Sequence, residues 1–219
     1  MKLVLISDLH GRHKETKIPK CDLLISAGDY SFHGREEEVR SFHEWLDEQD
    51  ADHIISLQGN HEMGVERNFQ LSKDIALKEC PRAHFIEEGP VVIEGKKIWC
   101  SAISPFFCNW AYNRYPGKDI QKHWDRIPEG IDVLVTHGPP FGILDTVLDF
   151  NAKICEYEDR HCGCPQLLKK VLEIKPKLHV FGHIHPGYGQ LVQDGITFVN
   201  AALLNDQYKL VNNPVVIDI

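Results

Sequence analysis

Apolar residues arrive along this chain in two rhythms. Lys2–Ile6 and residues 22–26 are short runs of Leu, Ile and Val without alternation, the pattern of strands buried on both faces of a parallel sheet. Each run ends in polar residues. Across residues 34–49 the spacing changes: Val39, Phe42, Trp45 and Leu46 return with a helical period among acids, and Glu36, Glu37 and Glu38 crowd the positive end of that helix. Residues 53–57 read as the next strand, and residues 66–79 as a second helix with Phe69, Ile75 and Leu77 facing the core. The first 80 residues therefore run β-β-α-β-α. Over residues 90–103 two apolar runs flank Gly95, which predicts an antiparallel hairpin. Residues 132–135 form a further buried strand, Pro165–Ile174 a helix opened by its proline, and Leu178–Phe181 a strand. Short β segments at Gly189–Gln193, 196–199 and 215–219 complete the pattern. No repeat, low-complexity tract or linker interrupts it, so residues 1–219 are expected to form a single domain.

Composition narrows the field of partners. With 219 residues, 42% hydrophobic and 26% charged, the chain has the make-up of an ordinary globular soluble protein. Lys and Arg total 24 against 32 Asp and Glu, a net charge of -8, which repels phosphate backbones and anionic lipid at long range. Neither a nucleic-acid polymer nor a membrane is an expected partner. The opening MKLVLISD is too short an apolar run for a signal-peptide core, and no stretch approaches the ~20 apolar residues of a membrane span, so a cytoplasmic location is expected. Seven cysteines at irregular spacing argue against a disulfide framework. Cys162-Gly-Cys164 has half the pattern of a zinc site, but no second pair completes it.

The polar residues at the strand ends carry the chemistry. Five predicted strands run into Ser7-Asp8-Leu9-His10-Gly11, Gly28-Asp29, Gly59-Asn60-His61-Glu62, Thr136-His137-Gly138 and Gly182-His183-Ile184-His185. In an open α/β sheet, ligands bind beyond the carboxyl ends of the strands, where these residues would meet. Asp8, His10, Asp29, Asn60, His137, His183 and His185 make seven potential metal ligands, with His61 left over. Carboxylates and imidazoles suit Mn, Fe, Zn or Ni, and seven donors exceed the needs of one ion, so two ions sharing a carboxylate fit better. Side chains at i and i+2 of a strand end share a face, which brings Asp8 to His10 and His183 to His185. Gly28, Gly59, Gly138 and Gly182 would permit sharp turns and close backbone approach.

The blocks D-x-H, G-D, G-N-H-E, T-H-G and G-H-x-H, in that order between Asp8 and His185, resemble the calcineurin-like metallophosphoesterase superfamily. Residues 59–62, 136–140 and 176–189 resemble more specifically its small MPPED-type members, some of which carry Gly at the position of His183. The resemblance implies a four-layer α/β/β/α sandwich of two mixed β-sheets flanked by helices. It implies that Asp8, His10, Asp29 and His185 hold a first ion and Asp29, Asn60, His137 and His183 a second, with Asp29 bridging. His61 would be the catalytic residue that contacts the phosphate and either stabilises the transition state or protonates the leaving oxygen. The implied activity is dinuclear metal-dependent hydrolysis of a small phosphodiester, cyclic nucleotide-like, by a metal-bound hydroxide attacking phosphorus. Its cofactors would be two divalent ions (Mn, Fe, Ni or Zn, with Mn favoured in vitro), and its partner a small phosphate ester. A phosphomonoesterase, a nucleotide pyrophosphatase or a protein phosphatase could use the same core, and a non-catalytic interaction scaffold could keep the fold. A nuclease is disfavoured by the acidic balance.

Outside these blocks, the stretch PFFCNWAYNRYP at residues 105–116 holds five aromatic rings and would either pack on the sheet or wall the substrate cleft, with Asn113 or Arg114 fixing polar atoms of a flat group. Arg12, just past the first block, could meet a phosphate oxygen. His161 lies in the long irregular segment 139–164, and loops of that length often bind ligands.

Overall fold

The computed structural model describes residues 1–147 and 160–219, so the middle of the long 139–164 segment lies outside the described residues. In chain order the elements are β1 (Lys2–Ile6), β2 (Cys21–Ser26), α1 (Glu36–Asp47), β3 (Ala51–Leu57), α2 (Met63–Arg67), α3 (Phe69–Glu79), β4 (Ala83–Ile86), β5 (Glu88–Ile93) and β6 (Lys96–Ser101). Then follow β7 (Ser104–Pro105), β8 (Asn113–Arg114), α4 (Lys118–Trp124), β9 (Val133–Thr136), α5 (Pro165–Ile174), β10 (Leu178–Phe181), β11 (Gly189–Gln193), β12 (Ile196–Asn200) and β13 (Val215–Asp218).

Two mixed sheets form the centre. One has the order β13-β1-β2-β3-β4, parallel except for β13 on β1; the other has the order β11-β12-β10-β9-β6-β5, parallel in its middle four strands and antiparallel at both edges. The two-residue period of a strand sorts its side chains between layers. Val4, Ile6, Leu24 and Ile54 pack with Val39, Phe42 and Leu46 of α1 and Ile75 and Ala76 of α3. Leu3, Leu5, Leu23, Ile25 and Ile55 join instead the cluster holding Val133, Val180 and Phe198 of the second sheet, with Trp124 of α4 and Leu167 and Val171 of α5. This is why the strands read as continuous apolar runs: both faces are covered. The result is the α/β/β/α sandwich, and among the described residues no helix is long and apolar enough to cross a membrane.

Three local readings are corrected. The helix expected over residues 66–79 is broken at Asn68, whose φ of -144° leaves the helical region while its N–H bonds to the carbonyls of Gly64 and Val65. Strand β4 and helix α4 were not anticipated: β4 is four residues long with only alternate positions buried, and α4 buries only Ile120 and Trp124, too little of a stripe to show a period. Cys164 serves the chain locally, its sulfur accepting the Leu167 N–H at 3.4 Å to cap α5. Cys162 is disulfide-bonded, so the two do not form half of a zinc site, and the chain holds a bridge that its cysteine spacing did not announce.

His43 of α1 ties the helix to the sheet. Its Nδ1–H donates to the Val39 carbonyl at 2.7 Å and its Nε2 accepts from Ser56 Oγ on β3 at 3.1 Å, and burial pushes the ring down from 6.5 to about 4. Between those values the unfolded chain takes up a proton that the folded chain refuses. The contribution of His43 is therefore complete above pH ~6.5 and is lost as the pH falls through the window. The stability gap between wild type and His43→Gln is expected to narrow by about 2 kcal/mol between neutral pH and pH ~5, read from urea midpoints. A gap that does not move with pH counts against the assignment.

Candidate metal centre

The loops that follow β1 and β2 stay laced together beyond the strands: Asp8 N–H donates to the Gly28 carbonyl at 3.0 Å and His10 N–H to the Asp29 carbonyl at 3.0 Å. Within this lacing Asp8 (φ 55°), His10 (φ 39°) and Asp29 (φ 52°) adopt the left-handed conformation, as does His183 (φ 67°) after β10. For residues with a Cβ this costs about 1–3 kcal/mol each and persists only where the surroundings impose it. Convergence thus comes from left-handed turns past the last strand residue, not from the pleat of the strand itself. Gly182 and Gly59 allow close approaches within the cluster: a Cβ at Gly182 would collide with Asp8 Oδ2 and Ser7 Oγ, and one at Gly59 with Asp29 Oδ1. Gly138 has room for a side chain, with the nearest atom 3.7 Å away.

All seven residues expected as ligands meet at this end of the sheets. His10 Nε2 lies 3.3 Å from His185 Nε2 and 3.9 Å from Asp29 Oδ2, and His185 Nε2 lies 3.4 Å from Asp8 Oδ1. His137 Nε2 lies 3.3 Å from Asp29 Oδ2 and 2.7 Å from Asn60 Oδ1. Three sets of donor atoms, each within 4.8 Å of one another, overlap: Asp8, His10 and His185; His10, Asp29 and His61; Asp29, His137 and His183. Asp29 and His10 each belong to two of them.

The hydrogen bonds settle which nitrogens face inward. His137 Nδ1–H donates to the Ala27 carbonyl and His185 Nδ1–H to the Asn205 carbonyl, both at 2.9 Å. A carbonyl only accepts, so in the neutral rings each Nε2 carries a lone pair directed at another acceptor. Asp8 Oδ1 is buried without a hydrogen-bond partner, which would cost free energy if nothing balanced it. Electron pairs pointed at one another from oxygens and imidazoles fit borderline divalent cations. The charges agree. Burial acts to raise Asp8, yet the His185 ring beside it holds it at about 2, and Asp29, against the same burial, is held well below the usual carboxylate range by His137 and His61. Both are ionised at neutral pH. Burial keeps His10 and His183 neutral by lowering each to about 4. In His137 burial works downward too, but Asp29 raises the ring to about 9, so a proton occupies the place where a cation would compete.

His61 sits at the edge of the cluster. Its backbone N–H donates to Asp29 Oδ1 at 2.9 Å, its Nδ1–H donates to the Phe32 carbonyl at 3.0 Å, and its ring lies 4.5 Å from those of both His10 and Trp110. Sequence reasoning assigned Glu62, the last residue of the same block, no role. The structure gives it one: its buried carboxylate accepts from Asp29 N at 3.0 Å, Gly59 N at 2.6 Å, Ser31 N at 3.0 Å and Ser31 Oγ at 2.7 Å, tying the loops after β2 and β3 into one unit. Burial and the Asp29 charge push its carboxyl up to about 8, while the hydrogen bonds from Ser31 pull it back.

A cavity of about 270 Å³ opens over the donors and is lined by Phe106, Phe107 and Trp110 from the aromatic stretch and by Tyr208 from the C-terminal part of the chain. The residues considered for substrate contact lie outside its lining. Asn113 braces its own loop through Ser104 Oγ and the Phe107 carbonyl. Arg114 bonds His123 and pairs with Glu66, Arg12 is exposed and pairs with Glu15, and His161 Nδ1 is 2.5 Å from Asp145 Oδ1. Tyr208 carried no sequence signal, since it lies in a stretch without period or motif.

Known proteins are similar to this chain in sequence and fold. Residues 1–187 match the family model described as calcineurin-like phosphoesterase. Over 238 aligned residues the chain is 34% identical to "Metallophosphoesterase domain-containing protein 1" of Homo sapiens and of Mus musculus, covering 100% of this chain and 71% of those proteins. A UPF0046 protein of Caenorhabditis elegans is 32% identical over 232 residues, covering 100% of this chain and 81% of its own length. Among solved structures, the phosphopantetheinyl hydrolase of Mycobacterium tuberculosis superposes with a TM-score of 0.57 at 17% identity over 94% of this chain and 90% of that one, a likeness of fold. The family match defines the class as metal-dependent phosphoric ester hydrolases. Within it, the chain belongs to the calcineurin-like phosphoesterase family and shares the sequence pattern of the MPPED-type members.

Proposed function

We propose that residues 1–219 act as one metallophosphoesterase domain that hydrolyses a small, cyclic nucleotide-like phosphodiester at a dinuclear centre, with Mn the preferred ion in vitro. The observation that supports this reading is the overlap of three donor sets at Asp29 and His10, a spread of ligand atoms that two adjacent cations would use more fully than one. Asp8, His10, Asp29 and His185 would hold one ion, and Asp29, Asn60, His137 and His183 the other. Divalent ions held there would neutralise the phosphoryl oxygens and lower the pKa of the attacking water.

The chain's own side chains do the remaining work. The Phe32 carbonyl fixes the ring of His61 through Nδ1–H, leaving Nε2 to carry a proton to the departing ester oxygen. The aromatic lining of the cavity excludes water and accepts the organic part of the substrate. No Lys or Arg lines that cavity among the described residues, and Asp206 adds a carboxylate. A second phosphate would therefore meet repulsion, which favours a singly phosphorylated ester over a pyrophosphate.

Protein stripped with chelator and reloaded separately with Mn, Fe, Ni or Zn is expected to turn over a chromogenic diester and cyclic nucleotides faster than a chromogenic monoester, with Mn giving the highest rate. Silence on all substrates with two ions bound would move the reading to a scaffold. In the same assay His61→Ala should keep its metal content and lose about 100- to 10,000-fold in turnover. Loss of metal in that variant would make His61 a ligand and not a proton carrier.

A further inference from the structure

Resting on the diesterase reading, we propose that Tyr208 forms the subsite for the ester group that stays on phosphorus, and so sets the preference for diesters over monoesters. Tyr208 stands with φ +56°, a conformation rarely adopted by a bulky residue. A single turn imposes it: Tyr208 N–H donates to the Asn205 carbonyl at 2.8 Å, and Asn205 Oδ1 accepts the N–H groups of Gln207 and Lys209 at 3.0 Å each. The same Asn205 carbonyl receives Nδ1–H of His185. One backbone oxygen thus positions both an inward-facing donor of the centre and the ring beside it.

That ring lies edge-on to His10 at 4.9 Å and to His185 at 5.5 Å, and packs on Phe32 at 5.7 Å. Trp110, a further large ring at the donors, rests on His61. Both line the cavity, Tyr208 against His10 and His185 and Trp110 against His61. A departing oxygen protonated by His61 leaves on the Trp110 side, so the retained arm of a diester falls to Tyr208. A monoester has no such arm. Stacking of a flat group on an aromatic side chain is tolerant of its identity and strong enough to show in affinity.

Three esters with the same leaving group separate the roles: bis(p-nitrophenyl) phosphate, methyl p-nitrophenyl phosphate and p-nitrophenyl phosphate. In metal-loaded protein, Tyr208→Ala is expected to raise KM for the bis-aryl ester about tenfold with kcat little changed, and to leave the methyl ester and the monoester within about twofold. Tyr208→Phe should behave as wild type, and bound metal should be equal in all three proteins. An equal loss on all three esters, or a fall in bound metal, would show that Tyr208 only supports His10 and His185 and would overturn the proposal, as would an unchanged KM for the bis-aryl ester. Calorimetric binding of the two diesters reads the subsite without turnover. If wild type cleaves no diester, the diesterase reading fails by itself, and the subsite stands or falls on whether Tyr208→Ala weakens binding of the bis-aryl ester alone.

Discussion

Asp29→Asn is expected to leave the protein with at most one bound ion and to reduce turnover about a thousandfold or more. The substitution keeps the shape and removes the charge. Asp29 Oδ2 faces His10 at 3.9 Å and His137 at 3.3 Å, while Oδ1 already accepts the His61 N–H. An amide is neutral and has one acceptor oxygen: with that oxygen in the place of Oδ2 its NH2 confronts the His61 N–H, and turned the other way the NH2 points a donor where cations belong. Loss of one preorganised charge contact at a reacting phosphate costs about 100- to 1,000-fold, and loss of an ion adds to it. Elemental analysis beside steady-state kinetics reads both effects. A variant with two ions and near wild-type turnover would remove Asp29 from the bridging position.

Glu62→Ala is expected to lower stability by about 3–5 kcal/mol, although Glu62 belongs to none of the donor sets. Three backbone N–H groups and one hydroxyl converge on its two oxygens at 2.6 to 3.0 Å, in a region closed to water. Each buried donor left without an acceptor costs about 1–3 kcal/mol. Glu62→Gln should fall between, since one oxygen remains for Ser31 while its NH2 confronts the N–H groups of Asp29 and Gly59. Because the Asp29 backbone hangs on Glu62, metal content should fall in step with stability. A urea midpoint within about 1 kcal/mol of wild type for the alanine variant would be incompatible with this role.

Much of the fold was legible because the sheets are covered on both faces. That covering leaves uninterrupted Leu, Ile and Val runs, and the bounds of β1, β10, β11 and α5 coincide with those read from the pattern. Where burial is thin the pattern fades: α4 presents only two buried side chains, and nothing in the composition of residues 66–79 marks the break at Asn68. The donors were legible for a different reason, since Asp, Asn and His recurring directly after apolar strands have no packing role to explain them. Their geometry was not. Alternation along a strand predicted that Asp8 and His10 share a face, whereas left-handed backbone beyond the strand brings them together. Glu62 and Tyr208 lay beyond sequence reasoning because each matters through what it holds: one gathers four donors, and the other rests on a turn whose partner is twenty residues from His185.

The left-handed backbone at His183 also has a bearing on descent. Glycine takes up φ +67° without the steric cost that histidine bears there, so a single codon drifting towards glycine would relax the turn as it removed an imidazole from the cluster. In a lineage freed from the need for a second ion, the scaffold would gain from that change rather than resist it.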